Sequence, residues 1–320
     1  MHAVARMLCL VGMALAGACT DQVKPVPETR DRLPDSVIER LVEQPMAVVR
    51  KSGLPAGEAA FDRLLTETKE RKGPRSVEAA DLLTAFGVQL YVENSVPGSP
   101  ESEAARHYLR DAVPAYIAAF GPNNPEVALA LNTRADIERK QSPGDPPPLV
   151  EALLDQALSI RTQTLGPHNG ETVATLTRLA DIHALPHRLK RDPAGVVKTD
   201  SLYRRAIAGA LPGPEGDDLS NKAALEVRLA EFHARSGDPR VALTEVRNAL
   251  AISKDWRPAE RRCLLVESRL YEFGLLMSER GMGNEAEALR PKGHASACNR
   301  SAPAETFLAS LLRVLGPGSS

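Results

Sequence analysis

The sequence predicts an all-α fold made of stacked helical pairs, and three observations support this. Helix-like stretches recur every 44 to 50 residues, each with a small residue at one fixed point: Gly87, Ala135, Ala180, Ala230 and Gly274. Only 4% of the residues are aromatic, and alanine and leucine carry the apolar content, which favours closely packed helices over sheets. The 25 prolines must lie mostly between helices. Recurrence at this period indicates stacked supersecondary units rather than one globular core.

Capping residues and glycines predict where the helices begin and end. Asn124-Pro125 and Asp238-Pro239 each place an N-cap before a proline at the first helical position, and Ser76 and Ser220 are further caps. Gly73, Gly121, Gly166, Gly237 and Gly281 are stop signals. A first helix runs from after Ser36 to about Glu43, and a basic insertion occupies residues 185–198. The other predicted helices are 56–72, 76–92, 101–120, 125–140, 148–165, 170–184, 199–211, 220–236, 239–253, 258–280, 284–290 and 302–314, with Pro114 kinking one of them.

The first 18 residues predict a signal peptide. Arg6 supplies a positive charge, and residues 7–18 form an uncharged apolar run that is too short to span a bilayer, which needs about 20 residues. Ala16-Gly17-Ala18 before Cys19 resembles the lipobox of bacterial lipoproteins, which implies lipidation of Cys19, although Ala16 stands where that motif usually has leucine. Plain secretion after Ala18 and an uncleaved cytoplasmic chain are the alternatives. We expect an extracytoplasmic protein in the periplasm, and Thr20 implies anchoring to the outer membrane.

Residues 19–34 predict an extended, proline-containing tether. Cys9 leaves with the signal peptide and Cys19 carries the lipid, so Cys263 and Cys298 form an even pair in an oxidising compartment. Cys263 lies near the start of the last long helix, and Cys298 follows a short return helix. We therefore predict a Cys263–Cys298 disulfide.

The repeats resemble the tetratricopeptide (TPR) family, in particular the long variant of kinesin light chains. The resemblance rests on small residues at the family's positions. They are Ala230, Gly237, Ala242 and Ala249 in one repeat, Gly274, Gly281 and Ala286 in the next, and Ala112, Ala157 and Ala206 in earlier second helices. Residues 154–176 (LDQALSIRTQTLGPHNGETVATL) match the long variant best, with support from residues 120–131 and 200–211. The resemblance covers about residues 56–290 and implies a right-handed solenoid. We place the repeats at 35–290 and a capping helix with a C-terminal tail at 291–320.

The same resemblance implies a binding groove along the first helices of the pairs. The ninth position of the repeat, which should face this groove, reads Val88, Asp136, Asp181, Glu231 and Leu275. The predicted groove residues are Tyr91, Asn132, Asp136, Arg139, Thr177, Asp181, Glu231 and Tyr271, with Thr84, Val227 and Ser278 at neighbouring groove positions. One interpretation is a protein-binding row with an acidic centre that attracts a basic or amide-rich segment. The other is a set of solvated helix faces.

The sequence offers little that indicates catalysis. His183 and His187 are four residues apart, but Pro186 lies between them and glutamate does not follow His183, so the zinc-protease motif H-E-x-x-H is absent. His183 and His233 fall at the same repeat position and are interpreted as packing residues. P-loops, nucleophile elbows and dinucleotide-binding glycine patterns are also missing. We therefore expect no cofactor and no metal.

The formal net charge of −1 gives no electrostatic argument for binding nucleic acid, and membrane contact is expected only through Cys19. The predicted function is a non-catalytic envelope scaffold or adaptor that binds a protein or peptide partner through its TPR groove. Two alternatives stay open: an enzyme or enzyme accessory acting on cell-wall material, and a cytoplasmic TPR regulator.

Overall fold

The computed structural model describes residues 33–142, 144–185, 193–213, 219–254, 256, 268–279, 281–282 and 284. These residues form eleven helices and no strand. The helices are α1 (Asp35–Ser52), α2 (Leu54–Lys72), α3 (Val77–Glu93), α4 (Pro100–Phe120), α5 (Pro125–Gln141), α6 (Pro148–Thr164), α7 (Gly170–His183), α8 (Pro193–Gly209), α9 (Lys222–Ser236), α10 (Pro239–Ser253) and α11 (Ser268–Glu279).

The predicted caps define most of the helix boundaries. The Asn124 side chain accepts from the Glu126 N–H at 2.9 Å before α5, and the Asp238 side chain accepts from the Val241 N–H at 3.1 Å before α10. Each bond satisfies one of the orphan donors of a first turn. Gly237 ends α9 with a φ of 110°, which a residue with a side chain rarely adopts. The cap of α9 is Asn221 rather than the neighbouring Ser220.

The helices pack against their neighbours along the chain, which confirms the predicted stack of pairs. The pairs are α1 with α2, α3 with α4, α5 with α6, α7 with α8, and α9 with α10. The second helix of each of the first four pairs also contacts the first helix of the next pair, in α2–α3, α4–α5, α6–α7 and α8–α9, and first helices contact each other at α1–α3 and α9–α11. We call α1, α3, α5, α7, α9 and α11 the first helices, and α2, α4, α6, α8 and α10 the second helices.

The small residues at the fixed repeat point are buried, as predicted. Ala135 is 1% exposed, Ala180 and Ala230 are 0% exposed, and Gly87 and Gly274 are also buried. A Cβ on Gly87 would lie 3.1 Å from the Ala105 carbonyl oxygen, so α3 and α4 cross too closely for a larger residue there. The small residues of the second helices, Ala112, Ala157, Ala206, Ala242 and Ala249, are 0% exposed as well. These residues therefore mark the close crossings of the pairs.

Two predicted boundaries are wrong. Helix α1 does not end near Glu43 but continues through Pro45 to Ser52, because Val42, Pro45 and Met46 form a buried stripe whose packing offsets the hydrogen bond that proline cannot donate. Helix α8 begins at Pro193, so residues 193–198 of the predicted insertion are helical. Thr199, fully buried, donates to the Gly195 carbonyl at 2.7 Å and ties this extra turn to the helix.

Several predictions fall outside the described residues. They are the signal peptide with Cys19, the tether up to residue 32, the helix 284–290 beyond its first residue, the helix 302–314, and both cysteines of the predicted disulfide, Cys263 and Cys298. Among the residues that the structure does describe, no helix combines the length and apolar character needed to cross a bilayer.

Candidate protein-binding groove

Asp136, Asp181 and Glu231, here called the acid row, lie at one position of three successive first helices: α5, α7 and α9. Two of these carboxylates accept from an arginine of the next first helix. Arg178 Nε donates to Asp136 Oδ2 at 3.0 Å, and Arg228 Nη1 donates to Asp181 Oδ2 at 2.7 Å. These ion pairs join α5 to α7 and α7 to α9. The acid row is therefore part of a series of contacts between successive repeats.

The prediction of an acidic groove missed these pairs, although the sequence contains a signal for them. The segment RLADIH (residues 178–183) returns as RLAEFH (residues 228–233), 50 residues later. In each segment the arginine precedes the acid by three residues, so both lie on neighbouring positions of one helix face. Each arginine pairs with the acid of the previous repeat. The acid on its own helix is then available to the arginine of the next repeat.

The interpretation of the acid row as a solvated helix face is wrong for Asp136 and Glu231, whereas the Asp181 side chain is 29% exposed. Asp136 is 8% exposed and Glu231 is 4% exposed, and the Glu231 carboxylate lies 3.5 Å from Arg235 Nη2 on its own helix. The Tyr203 hydroxyl of α8 donates to Asp181 at 2.6 Å. Burial, together with the nearby charge of Asp181, raises the pKa of Tyr203 well above its ordinary value and keeps it a donor. Buried carboxylates require such partners, because an unpaired buried charge is very costly.

Other predicted groove residues are also largely withdrawn from solvent. Thr177 is 0% exposed and its hydroxyl lies 3.0 Å from the Val173 carbonyl and 2.8 Å from the Leu219 carbonyl, so it serves packing. Tyr91 and Asn132 are 6% and 3% exposed. Tyr271 belongs to α11, but its side chain lies outside the described residues.

Arg139 and its neighbour Lys140 differ from these residues because both are exposed at the end of α5. Lys140 Nζ lies 5.7 Å from the centre of the Tyr91 ring, which is within the range of a cation–π contact. Asp136, Arg139 and Arg178 are all close enough to act electrostatically on Lys140. Since Arg178 already neutralises Asp136, the charge at this end of the groove is positive, not negative.

A buried polar network includes Asn132, which lies seven residues before Arg139 on α5. Asn132 Nδ2 donates to Thr175 Oγ1 at 2.9 Å, and Arg161 Nη1 donates to the same oxygen at 2.8 Å. Arg161 is 2% exposed and also pairs with Glu171 at 3.1 Å. Burial lowers the pKa of Arg161 to about 10, with Glu171 opposing the shift, so it stays charged at neutral pH. Within the described residues, Asn132 Oδ1 has no hydrogen-bond partner.

The two histidines of the repeated segments contact carboxylates of second helices. His183 Nε2 lies 3.1 Å from Glu151 of α6, and His233 lies between Glu245 of α10 and Asp200 of α8. Across the part of the chain that the structure describes, no group of three or more histidine, cysteine or acidic side chains could hold a metal ion. The histidines therefore act in helix packing.

A separate cleft of about 440 Å³ lies between the second helices α2 and α4, with residues of α3 among its lining. Glu58, Asp62 and Asp111 line it, with Lys69 and His107. The Tyr108 hydroxyl lies 3.4 Å from Glu58. Burial and these carboxylates raise the pKa of Tyr108. The cleft is acidic, in contrast to the end of α5.

Comparison with solved structures supports the repeat architecture. BtubC (BKLC) from P. vanneervenii superposes with a TM-score of 0.51 at 13% sequence identity, covering 89% of this chain and 94% of that one. Kinesin light chain TPR-like repeats from Podosopora anserina give a TM-score of 0.49 at 13% identity, covering 71% of this chain and all of the other. No protein-family model and no curated protein matches the sequence. The fold is an all-α, TPR-like helical solenoid, as predicted.

Proposed function

We propose that this chain is a non-catalytic scaffold or adaptor that binds a protein or peptide segment along its first helices. The observation that carries this is the cationic end of α5, where Arg139 and Lys140 are exposed beside Tyr91 and the neutralised Asp136. An exposed charged surface next to a rigid, hydrogen-bonded helix array is suited to recognition, because the array holds its geometry without cost at the moment of binding. Solenoid repeats commonly present such extended binding surfaces.

The charge of this surface favours an acidic partner segment over the basic one that the acid row first suggested. Arg178 and Arg228 neutralise Asp136 and Asp181, whereas Arg139 has no ion-pair partner among the described side chains. Carboxylates of a partner would therefore meet Arg139 and Lys140.

Binding can be tested with fluorescently labelled peptides of equal length that carry glutamate, glutamine or lysine at alternate positions. We expect the glutamate peptide to bind tightest and its affinity to fall with salt, because exposed charges are screened. Replacing Arg139 and Lys140 together by glutamine should remove this preference. The matched control replaces the exposed Arg63 and Arg75 of the α2 region by glutamine and should leave it intact. Tighter binding of the lysine peptide would overturn the proposed charge of the partner.

We further propose that the protein works in the bacterial cell envelope, anchored to the outer membrane through a lipid on Cys19. The apolar run of residues 7–18 and the small residues before Cys19 support this. Mass spectrometry of the mature N-terminus should find cleavage before Cys19 and an attached lipid, and Cys19→Ser should lose incorporation of a fatty-acid analogue. An intact Met1 or an unmodified Cys19 thiol would contradict this location. A pull-down from envelope extract with the Arg139/Lys140 variant as control would then identify the partner.

A further inference from the structure

His233 bridges three helices through both nitrogens of its ring. Its Nδ1 lies 2.7 Å from Glu245 Oε2 on α10, and its Nε2 lies 3.0 Å from Asp200 Oδ1 on α8. The residue itself belongs to α9 and is 9% exposed. One imidazole therefore connects the second helix of one pair with both helices of the next.

This geometry has a chemical requirement. A neutral imidazole carries one N–H donor and one acceptor nitrogen, whereas a carboxylate only accepts. With a carboxylate at each nitrogen, a neutral His233 would satisfy one contact and set a lone pair against the other carboxylate. Only the imidazolium donates to both, and a hydrogen bond between two charged groups is about twice as strong as a neutral one.

The other charged groups around His233 do not remove this requirement. On α8, Arg204 Nε donates to Asp200 at 2.9 Å, and its Nη2 lies 3.5 Å from Glu245. A single guanidinium therefore faces two carboxylates, and the imidazolium supplies the second positive charge. Glu226 on α9 also interacts electrostatically with Glu245 and with Arg204, and it adds a further acidic group to this cluster.

We infer that His233, Asp200 and Glu245 form a proton-operated joint in which the imidazolium holds α8, α9 and α10 together and loss of its proton loosens that junction.

The direction of the pH dependence follows from the surroundings of the ring. Burial lowers the pKa of His233, but the hydrogen bond and charge of Glu245, together with those of Asp200, outweigh it, so the pKa lies above its ordinary value. A histidine with a raised folded-state pKa stabilises fully below its unfolded value of about 6.5, and the stabilisation is lost as pH rises through the folded pKa. The joint is therefore closed in mild acid and weakened in alkaline solution.

Two measurements on the whole chain test this joint. NMR titration of the His233 ring, assigned by the signal missing from His233→Gln, should give an apparent pKa above about 6.5. The thermal unfolding midpoint of the wild type should fall as pH rises from 6 to 9, and that fall should be smaller in His233→Gln. His183→Gln is the matched control, because His183 occupies the same repeat position but contacts Glu151, a carboxylate that Lys198 already pairs with. The His183→Gln variant should retain the fall of the unfolding midpoint between pH 6 and 9.

Asp200→Asn provides a second variant in case His233→Gln does not fold. An asparagine amide can donate to one nitrogen of a neutral ring while the other donates to Glu245, so the contacts no longer need the extra proton. We expect this variant to fold and to show a reduced pH dependence of its unfolding midpoint. A wild-type His233 pKa below about 6.5 would overturn the joint. So would an equal loss of pH dependence in His183→Gln, or an unchanged one in Asp200→Asn.

Discussion

The first two helical pairs and the later ones stack in the same way but are joined by different chemistry. Between α2, α3 and α4, the Phe61 and Phe86 rings stack with centroids 4.1 Å apart, and Tyr108 packs edge-on at 5.2 and 5.0 Å from them. From α5 onwards, the repeats are joined by Asp136–Arg178 and Asp181–Arg228.

The first region also has an ion pair between first helices, Arg50–Glu93, but its side chains are 43% and 35% exposed. The second region has one ring contact between repeats, Tyr203–Phe232 at 6.0 Å. The regions therefore differ in what lies shielded between repeats: a three-ring cluster, the aromatic joint, in the first and ion pairs, the ionic joints, in the second.

The difference indicates how each region should respond to its surroundings. Aromatic contacts depend on buried area and ring geometry, which neither salt nor mild pH changes affect strongly. Ion pairs and a protonated histidine depend on both. We therefore expect the second region, α5–α10, to be the part of the solenoid whose stability changes with solution conditions.

Both regions nevertheless have an apolar core beneath these joints. One cluster of buried apolar residues extends from Ile38 to Phe232, and a second extends from Ala223 to Met277, with α9 contributing to both. The ionic joints lie beside this core and do not replace it. Tests of the comparison should accordingly show the largest losses for core changes and smaller ones for charges.

The largest effect is expected for Phe61→Ala. Phe61 is 0% exposed and contacts two further rings, so the change leaves a cavity in the aromatic joint. We expect a loss of about 3–5 kcal/mol in the free energy of unfolding. Hydrogen exchange should place the weakening in α2–α4 and spare α8–α10. The exposed Thr66→Ala on the same helix is the control. If α8–α10 were equally weakened, the two regions would not be separable.

The second-largest effect is expected from a covalent bond, the predicted disulfide. If Cys263 and Cys298 form a disulfide, the loop of 35 residues it closes should contribute roughly 3–4 kcal/mol in the chain-entropy model. Reduction should then lower the unfolding midpoint of the segment after α9 and leave the aromatic joint unchanged. Alkylation of both thiols in the native, oxidised protein would show that the bond is absent.

A third change tests the close helix crossings that both regions share. Ala180 is 0% exposed where α7 crosses its partner, so Ala180→Leu should overpack the contact and cost roughly 1–3 kcal/mol. Ala118→Leu, on the exposed face of α4, should change the unfolding midpoint little. A midpoint of Ala180→Leu equal to that of the wild type would contradict the close crossing.

The sequence predicted the repeats better than the joints between them. Small residues such as Ala180 recur because two backbones must approach closely, and this steric need is visible along one chain. The pairing of Asp136 with Arg178 depends on how far one repeat rotates against the next, which no local pattern specifies. Asp136 therefore looked like a solvated groove residue. The repeated segments RLADIH and RLAEFH show that an arginine and an acid recur together, but they do not show that each arginine reaches the acid of the previous repeat.

A smaller effect is expected from the ionic joint itself, measured by a double-mutant cycle. Asp136 and Arg178 have side chains 11% and 23% exposed, so their contact is partly shielded from solvent. We expect a coupling energy of about 1 kcal/mol from Asp136→Asn, Arg178→Gln and the double variant. The exposed neighbours Arg110 and Asp111, whose contact is 3.3 Å, should give a coupling near zero. Equal coupling energies for both pairs would show that Asp136–Arg178 stabilises the stack no more than an exposed surface pair does.

The smallest effect is expected from salt, which should distinguish the two regions without any substitution. Raising salt from 0.1 to 1 M shortens the screening length from about 10 Å to about 3 Å, which weakens partly exposed ion pairs but not ring contacts. Hydrogen exchange should therefore quicken across α7 and α9, whereas in α3 and α4 it should quicken only near the partly exposed pairs Arg50–Glu93 and Arg106–Glu138. We expect a shift of a few tenths of a kcal/mol in local opening energy, since such pairs contribute about 0.2–1 kcal/mol each. The Arg178→Gln variant supplies the control, because without the guanidinium the salt response of α7 should shrink. An equal response of α3–α4 and α7–α9 would mean that the ionic joints do not set the sensitivity of the second region.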